Sequence, residues 1–194
     1  DILQEEKRTT VKKQLEFYFP QAKGKKILSI LLVGQKPKPE DGSEPVNLFD
    51  NFNLKKIMDY IDDDWFVITN NWDLVELSYQ LPYQYSSKFG YIKNKISLND
   101  MMYLSDMLIT NSSKHAGNFS ITKNLIYYLE YLPKIFGNFI KKFYPSMYLK
   151  DLDQLLTLDF SNTELSPEQK NFCQEFSYDP TENPSETIEK LFKY

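Results

Sequence analysis

Short runs of consecutive apolar residues recur along the chain and are separated by longer, more polar stretches. The clearest runs are 27–33, 65–69, 107–110 and 124–129, which are rich in branched and aromatic side chains. Continuous apolar runs of this length are typical of strands that are buried on both faces, as in parallel sheets. We therefore predict a parallel sheet of about five strands that contains these four, with a weaker strand at 89–94.

Helical periodicity fills most of the intervals between these runs. The predicted helices lie at 3–17, 47–61, 73–81, 97–106, from Ser113 onward and at 134–144, with 149–158 helical or mixed. Ser97 and Asp100 resemble a capping box, and Ser166–Pro167 and Asn183–Pro184 mark the starts of two closing helices. Strands that alternate with helices indicate the α/β class, here a Rossmann-like parallel sheet with helices on both faces, in one domain over residues 1–194.

The composition fits a globular domain and excludes several classes of function. The formal net charge is -4, and Arg8 is the only arginine among 23 basic residues, so the chain lacks the cationic surface that nucleic-acid binding requires. No apolar run approaches the roughly 20 residues that a membrane span needs. Cys173 is the single cysteine, so we expect no internal disulfide and a reducing, cytoplasmic location. The charged start, without a methionine or a signal sequence, suggests a piece of a longer protein.

The most informative stretch is MLITNSSKHAGNF, residues 107–119, where an apolar run is followed by small polar residues and then by two basic side chains. In doubly wound folds, ligands bind where strands end and helices begin. The start of a helix presents N–H groups and a partial positive charge, which suit a phosphate. Lys114 and His115 lie in the first turn of the predicted helix, where a cation is unfavourable by about 0.3–1 kcal/mol unless an anion binds there.

The same stretch has a simpler interpretation. In this interpretation the helix is capped by Asn111, Ser112 and Ser113, and the two basic side chains are only solvated. The sequence leaves both interpretations open. His115 is a weak candidate for a general base, because no carboxylate lies near it in the sequence.

Other chemistries find little support in the residues. With one histidine, one cysteine and no clustered ligand spacing, the chain predicts no metal site, and the aspartates at 62–64 are more simply a solvated turn. The sequence contains neither a P-loop nor a glycine-rich dinucleotide motif. Gly34 and Asn70 follow the first two strong runs, where a phospho-receiver domain would carry carboxylates.

The stretch LNDMMYLSDMLITNSS, residues 98–113, resembles the C-terminal half of the CDP-glycerol glycerophosphotransferases, which build teichoic-acid-like polymers. The matching positions are Ile96, Leu98, Asp100, Ser105, Asp106, Leu108, Ile109 and Thr110. Residues 25–30, residues 59–68 and the end of the chain match more loosely. The resemblance implies a GT-B architecture of two Rossmann-like domains, of which this chain is the C-terminal, donor-binding one. It also implies an N-terminal acceptor domain outside this chain, which supplies a catalytic histidine in the family.

The chain departs from the family pattern at several polar positions. The family has an aspartate after Leu-Ile-Thr, where this chain has Asn111, and it has Tyr-Ser-Ser where this chain has Ser-Ser-Lys at 112–114. The family's proline and arginine after the first strand correspond approximately to Leu32 and Gln35. The family's histidine at the end of the second strand corresponds to Asn70–Asn71.

These observations favour the donor-nucleotide half of a GT-B glycosyl- or glycerophosphotransferase in cell-wall or surface-polymer synthesis. The expected substrate is a CDP-linked or other nucleotide-activated donor, no metal or cofactor is expected, and the catalytic residues are unknown. The resemblance also allows a partner protein and a peripheral association of the full protein with the inner face of the membrane. The alternative is a degenerate transferase-like module that binds a protein or a carbohydrate without catalysis, because several charged family positions are neutral here. The predicted nucleotide- and phosphate-binding residues are Asn111, Ser112, Ser113, Lys114, His115, Asn70, Asn71 and Gln35.

Overall fold

Six parallel strands form one sheet in the computed structural model, which describes residues 2–32, 54–129 and 135–176. The strands are β1 (Lys26–Leu31), β2 (Trp65–Thr69), β3 (Phe89–Tyr91), β4 (Met107–Thr110), β5 (Leu125–Leu129) and β6 (Tyr148–Leu149). Their order across the sheet is β3-β2-β1-β4-β5-β6, and each neighbouring pair is parallel. This order is that of the doubly wound, Rossmann-type sheet, and the predicted fold class is confirmed.

Helices pack on both faces of the sheet. They are α1 (Ile2–Tyr18), α2 (Leu54–Tyr60), α3 (Trp72–Ser78), α4 (Leu98–Leu104), α5 (Ser113–Ser120), α6 (Ile135–Phe143) and α7 (Pro167–Phe176). Shorter 3-10 helices lie at Pro20–Ala22, Tyr83–Ser87, Pro145–Met147 and Leu152–Thr157. The alternation of strands and helices that the apolar pattern predicted is therefore present.

Successive side chains of each strand enter two separate cores. In β1, Ile27 and Leu31 belong to one core, while Leu28 and Ile30 belong to the other. Both sets are fully buried, which explains why the central strands are apolar at nearly every position. The first core also contains buried residues of α1, α4, α5, α6 and α7, and the second contains those of α2, α3 and the 3-10 helix at Leu152–Thr157.

The structure differs from the prediction at both sheet edges. The sixth strand, Tyr148–Leu149, is only two residues long and pairs with the end of β5; it was not predicted. The predicted strand 89–94 ends at Tyr91, because the chain then turns and the carbonyl of Ile92 accepts hydrogen bonds from two later N–H groups. Gly90 lies at a close approach in this strand, since a Cβ atom there would come within 3.0 Å of the ring of Phe66 and would require that ring to shift.

Predicted helix starts are confirmed where the structure describes them. The Ser97 side chain accepts a hydrogen bond from the N–H of Asp100 at 3.0 Å and donates one to its carboxylate at 2.6 Å. Ser166 accepts from the N–H of Gln169 in the same way at the start of α7. The first half of the predicted helix 47–61 and the last predicted helix lie outside the described residues.

Candidate functional site

The carboxyl ends of β2 and β4 bring most of the predicted site residues to one edge of the sheet. Asn70 and Asn71 follow β2, and residues 111–115 follow β4. Both strands are hydrogen-bonded to β1 and run parallel to it, so their ends are separated by two inter-strand spacings, about 10 Å. Gln35 and Gly34 lie outside the described residues.

The order of the strands reverses between β1 and β4. β2 and β3 continue the sheet on one side of β1, and β4, β5 and β6 continue it on the other. In open α/β sheets, such a switch point leaves a crevice outside the carboxyl ends of the two strands, and ligands bind there. The start of α5 follows β4 directly and therefore lies beside this crevice.

The two strand ends that flank β1 share a three-residue sequence and the same local structure. Ile-Thr-Asn occurs at 68–70 and again at 109–111. In each copy the threonine hydroxyl accepts a hydrogen bond from the N–H two residues later, at 3.0 Å from Asn71 and at 3.1 Å from Ser112. That later residue then caps the next helix with its own side chain. The repeat is visible in the sequence itself.

The start of α5 is a well-formed cap. Ser112 has an extended backbone, and its hydroxyl accepts a hydrogen bond from the N–H of His115 at 3.3 Å. The N–H of Ser112 donates a hydrogen bond to the hydroxyl of Thr110 at 3.1 Å. The N–H groups of Ser113 and Lys114 remain, and neither has a carbonyl of its own helix to which it can donate.

The side chains of this first turn differ in their exposure. Lys114 is exposed, His115 is half-buried and Asn111 is 5% exposed. The His115 Nδ1 atom is buried and has no hydrogen-bond partner among the described residues. Burial, and to a lesser degree the charge of Lys114, lower the pKa of His115 below its usual 6.5. At pH 7 the His115 side chain therefore adds little positive charge to this helix start.

The lowered pKa of His115 predicts a pH dependence of stability. The unfolded chain protonates this histidine as the pH falls through 6.5, whereas the folded chain protonates it only at lower pH. The stability that the neutral histidine permits is present above that value and is lost on acidification. Relative to His115→Gln, the wild type should lose at most about 1.4 kcal/mol per pH unit, the limit for one proton. Urea unfolding of both proteins at about pH 7.5 and about pH 5.5 measures this difference, and parallel pH profiles would contradict it.

A cavity of about 650 Å³ opens at the same sheet edge, beyond β2 and β3. Asn70 lines it together with the loop residues 92–98. The Asn70 Oδ1 atom is buried and has no hydrogen-bond partner among the described residues. The exposed ring of Trp72, two residues after Asn70, packs edge-on against Tyr91, whose neighbour Ile92 also lines the cavity. Sequence reasoning placed Asn70 in the site and missed this loop.

The most specific positions of the resembling stretch have structural roles. Ser105 is fully buried and its hydroxyl is hydrogen-bonded to that of Ser29 in β1. The Asp106 carboxylate accepts from Arg8 at 2.5 Å and from the N–H of Ile27 at 2.8 Å. These contacts tie α1 and β4 to the beginning of β1. The Ser-Asp pair therefore supports the sheet and does not reach the ligand edge.

Neither a metal centre nor a reactive thiol is evident in the described part of the chain. No group of three or more histidine, cysteine, aspartate or glutamate side chains there is arranged to hold a metal ion. Cys173 is 4% exposed in α7, and burial raises its pKa to about 11. Among the same residues, no helix is both long enough and apolar enough to cross a membrane.

The chain is a Rossmann-like α/β domain whose sheet has its switch point between β1 and β4. Three solved structures of the wall teichoic acid polymerase TagF have a similar fold. A TagF variant matches with a TM-score of 0.57 at 13% sequence identity, and the same variant soaked with CDPG matches with a TM-score of 0.55 at 13% identity. TagF itself matches with a TM-score of 0.54 at 14% identity. The matches cover 96%, 98% and 92% of this chain but only 46%, 48% and 46% of TagF. The chain therefore spans less than half the length of these proteins.

At this level of identity the likeness concerns the fold. No family model matches the chain, and no curated protein matches it either. The resemblance to glycerophosphotransferases that build teichoic-acid-like polymers is supported only as a distant relationship, at the level of the fold.

Proposed function

We propose that this chain is the donor-nucleotide-binding half of a GT-B transferase that moves a glycosyl or glycerophosphate group during the synthesis of a surface polymer. The observation that carries the proposal is the position of the α5 start beside the switch point between β1 and β4. A helix start at this place offers N–H groups and a partial positive charge to a phosphate. The likeness to TagF, of which one structure was soaked with CDPG, supports a nucleotide-activated donor.

In this proposal the chain positions the diphosphate of the donor and stabilises the charge that develops on it as the transferred group leaves. The N–H groups of Ser113 and Lys114 and the ammonium of Lys114 are the donors at the α5 start. His115 is neutral at pH 7 and lies one residue further along the helix, so it can donate or accept a hydrogen bond without adding charge. The acceptor and its activating base come from the domain outside this chain.

A binding measurement tests the proposal directly. Calorimetry should detect CDP binding to the 194-residue chain, with weak affinity because half of the cleft belongs to another domain. Inorganic pyrophosphate should bind more weakly still, and rising salt should weaken both, because a charged contact at an exposed lysine is screened. If neither CDP nor another nucleoside diphosphate binds at millimolar concentration, the proposal is wrong and the α5 start is only a helix cap.

A binding module without catalysis is the second candidate. Amides and hydroxyls line the strand ends where the resembling family has an aspartate and a histidine, and His115 is held neutral. Such a site can retain a ligand but offers few groups for proton transfer. An assay of donor turnover by the full-length protein separates the two candidates. Nucleotide binding without transfer would favour the module.

A further inference from the structure

We infer that the outer side of α3 and the turn after it bind a neutral carbohydrate chain, with the rings of Trp72, Tyr79 and Tyr83 as stacking surfaces. The inference concerns a second binding surface and does not depend on the nucleotide site. These three side chains are 51%, 74% and 90% exposed. Single exposed rings are common on proteins, but several along one element indicate an interaction surface.

The spacing along α3 places two rings and a carboxylate in a row. Trp72, Glu76 and Tyr79 are separated by four and three residues, so they share one side of the helix. Tyr79 follows the last residue of α3 and still has helical backbone angles. Trp72 and Tyr79 are therefore about 10 Å apart along the helix axis, a distance that a short oligosaccharide spans. Tyr83 begins the 3-10 helix that follows.

The Trp72 ring is held in place by contacts within the domain. Its N–H donates a hydrogen bond of 2.7 Å to the carboxylate of Glu76, and its ring packs edge-on against Tyr91, with the ring centroids 5.6 Å apart. A ring that is already fixed loses little conformational freedom when a ligand packs on it. About half of the side chain stays exposed and can contact such a ligand.

The charge of this segment argues against an anionic partner. Residues 72–87 contain neither lysine nor arginine, and the carboxylate of Glu76 lies in the row itself. Nucleic acids and anionic membranes are bound mainly through clustered lysines and arginines, and a phosphate-bearing polymer requires the same cations. A ligand on this surface is therefore uncharged.

Among uncharged ligands, a sugar chain fits the alternation of rings and polar groups. The core of a protein interface is depleted of charged residues, whereas Glu76 lies between two of the rings and Gln80 and Gln84 are exposed beside them. A sugar ring has C–H groups on its faces and hydroxyls around its edge. The C–H groups can pack on the electron-rich faces of aromatic rings, and the hydroxyls can bond to a carboxylate and to amides.

Native gels that contain a soluble polysaccharide test the inference on the 194-residue chain. At least one of three neutral polymers, a β-glucan, an α-glucan and a mannan, should slow the wild type, and the polyanion dextran sulfate should not. Tyr79→Ala should weaken this binding about tenfold, as is usual when a central aromatic contact is truncated, whereas Tyr79→Phe keeps the ring and should retain most of it. Phe17→Ala is the matched control and should change nothing, because Phe17 is similarly exposed but belongs to α1, on the opposite face of the sheet.

A measurement on the wild type does not depend on how a variant folds. Trp65 is buried and Trp72 is half-exposed, so a short oligosaccharide of the retarding polymer should change the tryptophan emission through Trp72. The inference is overturned if no neutral polymer slows the chain, if only dextran sulfate does, or if Phe17→Ala weakens binding as much as Tyr79→Ala. Light scattering that shows a dimer lost in Tyr79→Ala would instead make the surface an interface between copies of this chain. None of these results affects the binding of CDP, which tests the proposed function separately.

Discussion

Replacing Trp65 with alanine should lower the free energy of unfolding by about 3–5 kcal/mol. Trp65 begins β2 and is fully buried. Its ring contacts the ring of Phe160 edge-on, with the two ring centroids 5.5 Å apart. Its indole N–H donates a hydrogen bond of 3.1 Å to the carbonyl of Phe160. The alanine variant would leave a cavity in the second core and a buried carbonyl without its donor, and both effects are destabilising.

The chain contains a matched control for this prediction. Trp72, at the start of α3, is 51% exposed, and its indole N–H donates to Glu76 at the surface. Trp72→Ala should cost less than about 1 kcal/mol, as is usual for exposed positions. Urea unfolding followed by circular dichroism measures both variants. Equal losses for the two tryptophans would contradict the burial of β2 between two layers.

The central strands could be predicted because their environment appears in their own sequence. A strand that is covered on both faces must be apolar at nearly every position, and 65–69 and 107–110 satisfy this requirement. β6 carries no such signal. It is two residues long and half-buried at Tyr148, and only its pairing with the end of β5 makes it a strand. That pairing depends on distant parts of the chain.

The same distinction separates the two parts of the candidate site. The start of α5 is local in origin, because Ser112 caps a helix that begins at the next residue. The cavity is not local. Its loop is held partly by the side chain of Gln14 in α1, which donates a hydrogen bond to the carbonyl of Lys95 at 2.9 Å. No motif within 92–98 predicts this contact. The sequence therefore indicated Asn70 as a site residue but did not indicate the loop beside it.

The second large effect is expected at the start of α5, where the proposed function places the phosphates of the donor. Lys114→Glu should weaken CDP binding by about 1–2 kcal/mol, roughly 5- to 30-fold, because a charge-assisted contact is lost and a repulsive charge is introduced. Lys114 is exposed, and in the wild type its charge lies at the positive end of α5, where it is unfavourable. The substitution should therefore preserve or slightly increase stability while it decreases binding. A combination of weaker binding with unchanged stability distinguishes a ligand contact from a structural role.

Lys23→Glu provides the control for charge alone. Lys23 is exposed and precedes β1, so it lies toward the amino edge of the sheet, away from the crevice. The Lys23→Glu substitution changes the net charge by the same amount as Lys114→Glu. It should alter the affinity for CDP less than twofold at an ionic strength of about 0.15 M, because charges are screened there over about 8 Å. Calorimetry on both variants, at low and at physiological salt, measures the comparison. If Lys114→Glu binds CDP as the wild type does, or if both variants weaken it equally, no phosphate lies at the α5 start. Ser112 and its neighbours would then only cap α5. The better account of this protein would be a binding module without catalysis, with its ligand site elsewhere on the domain.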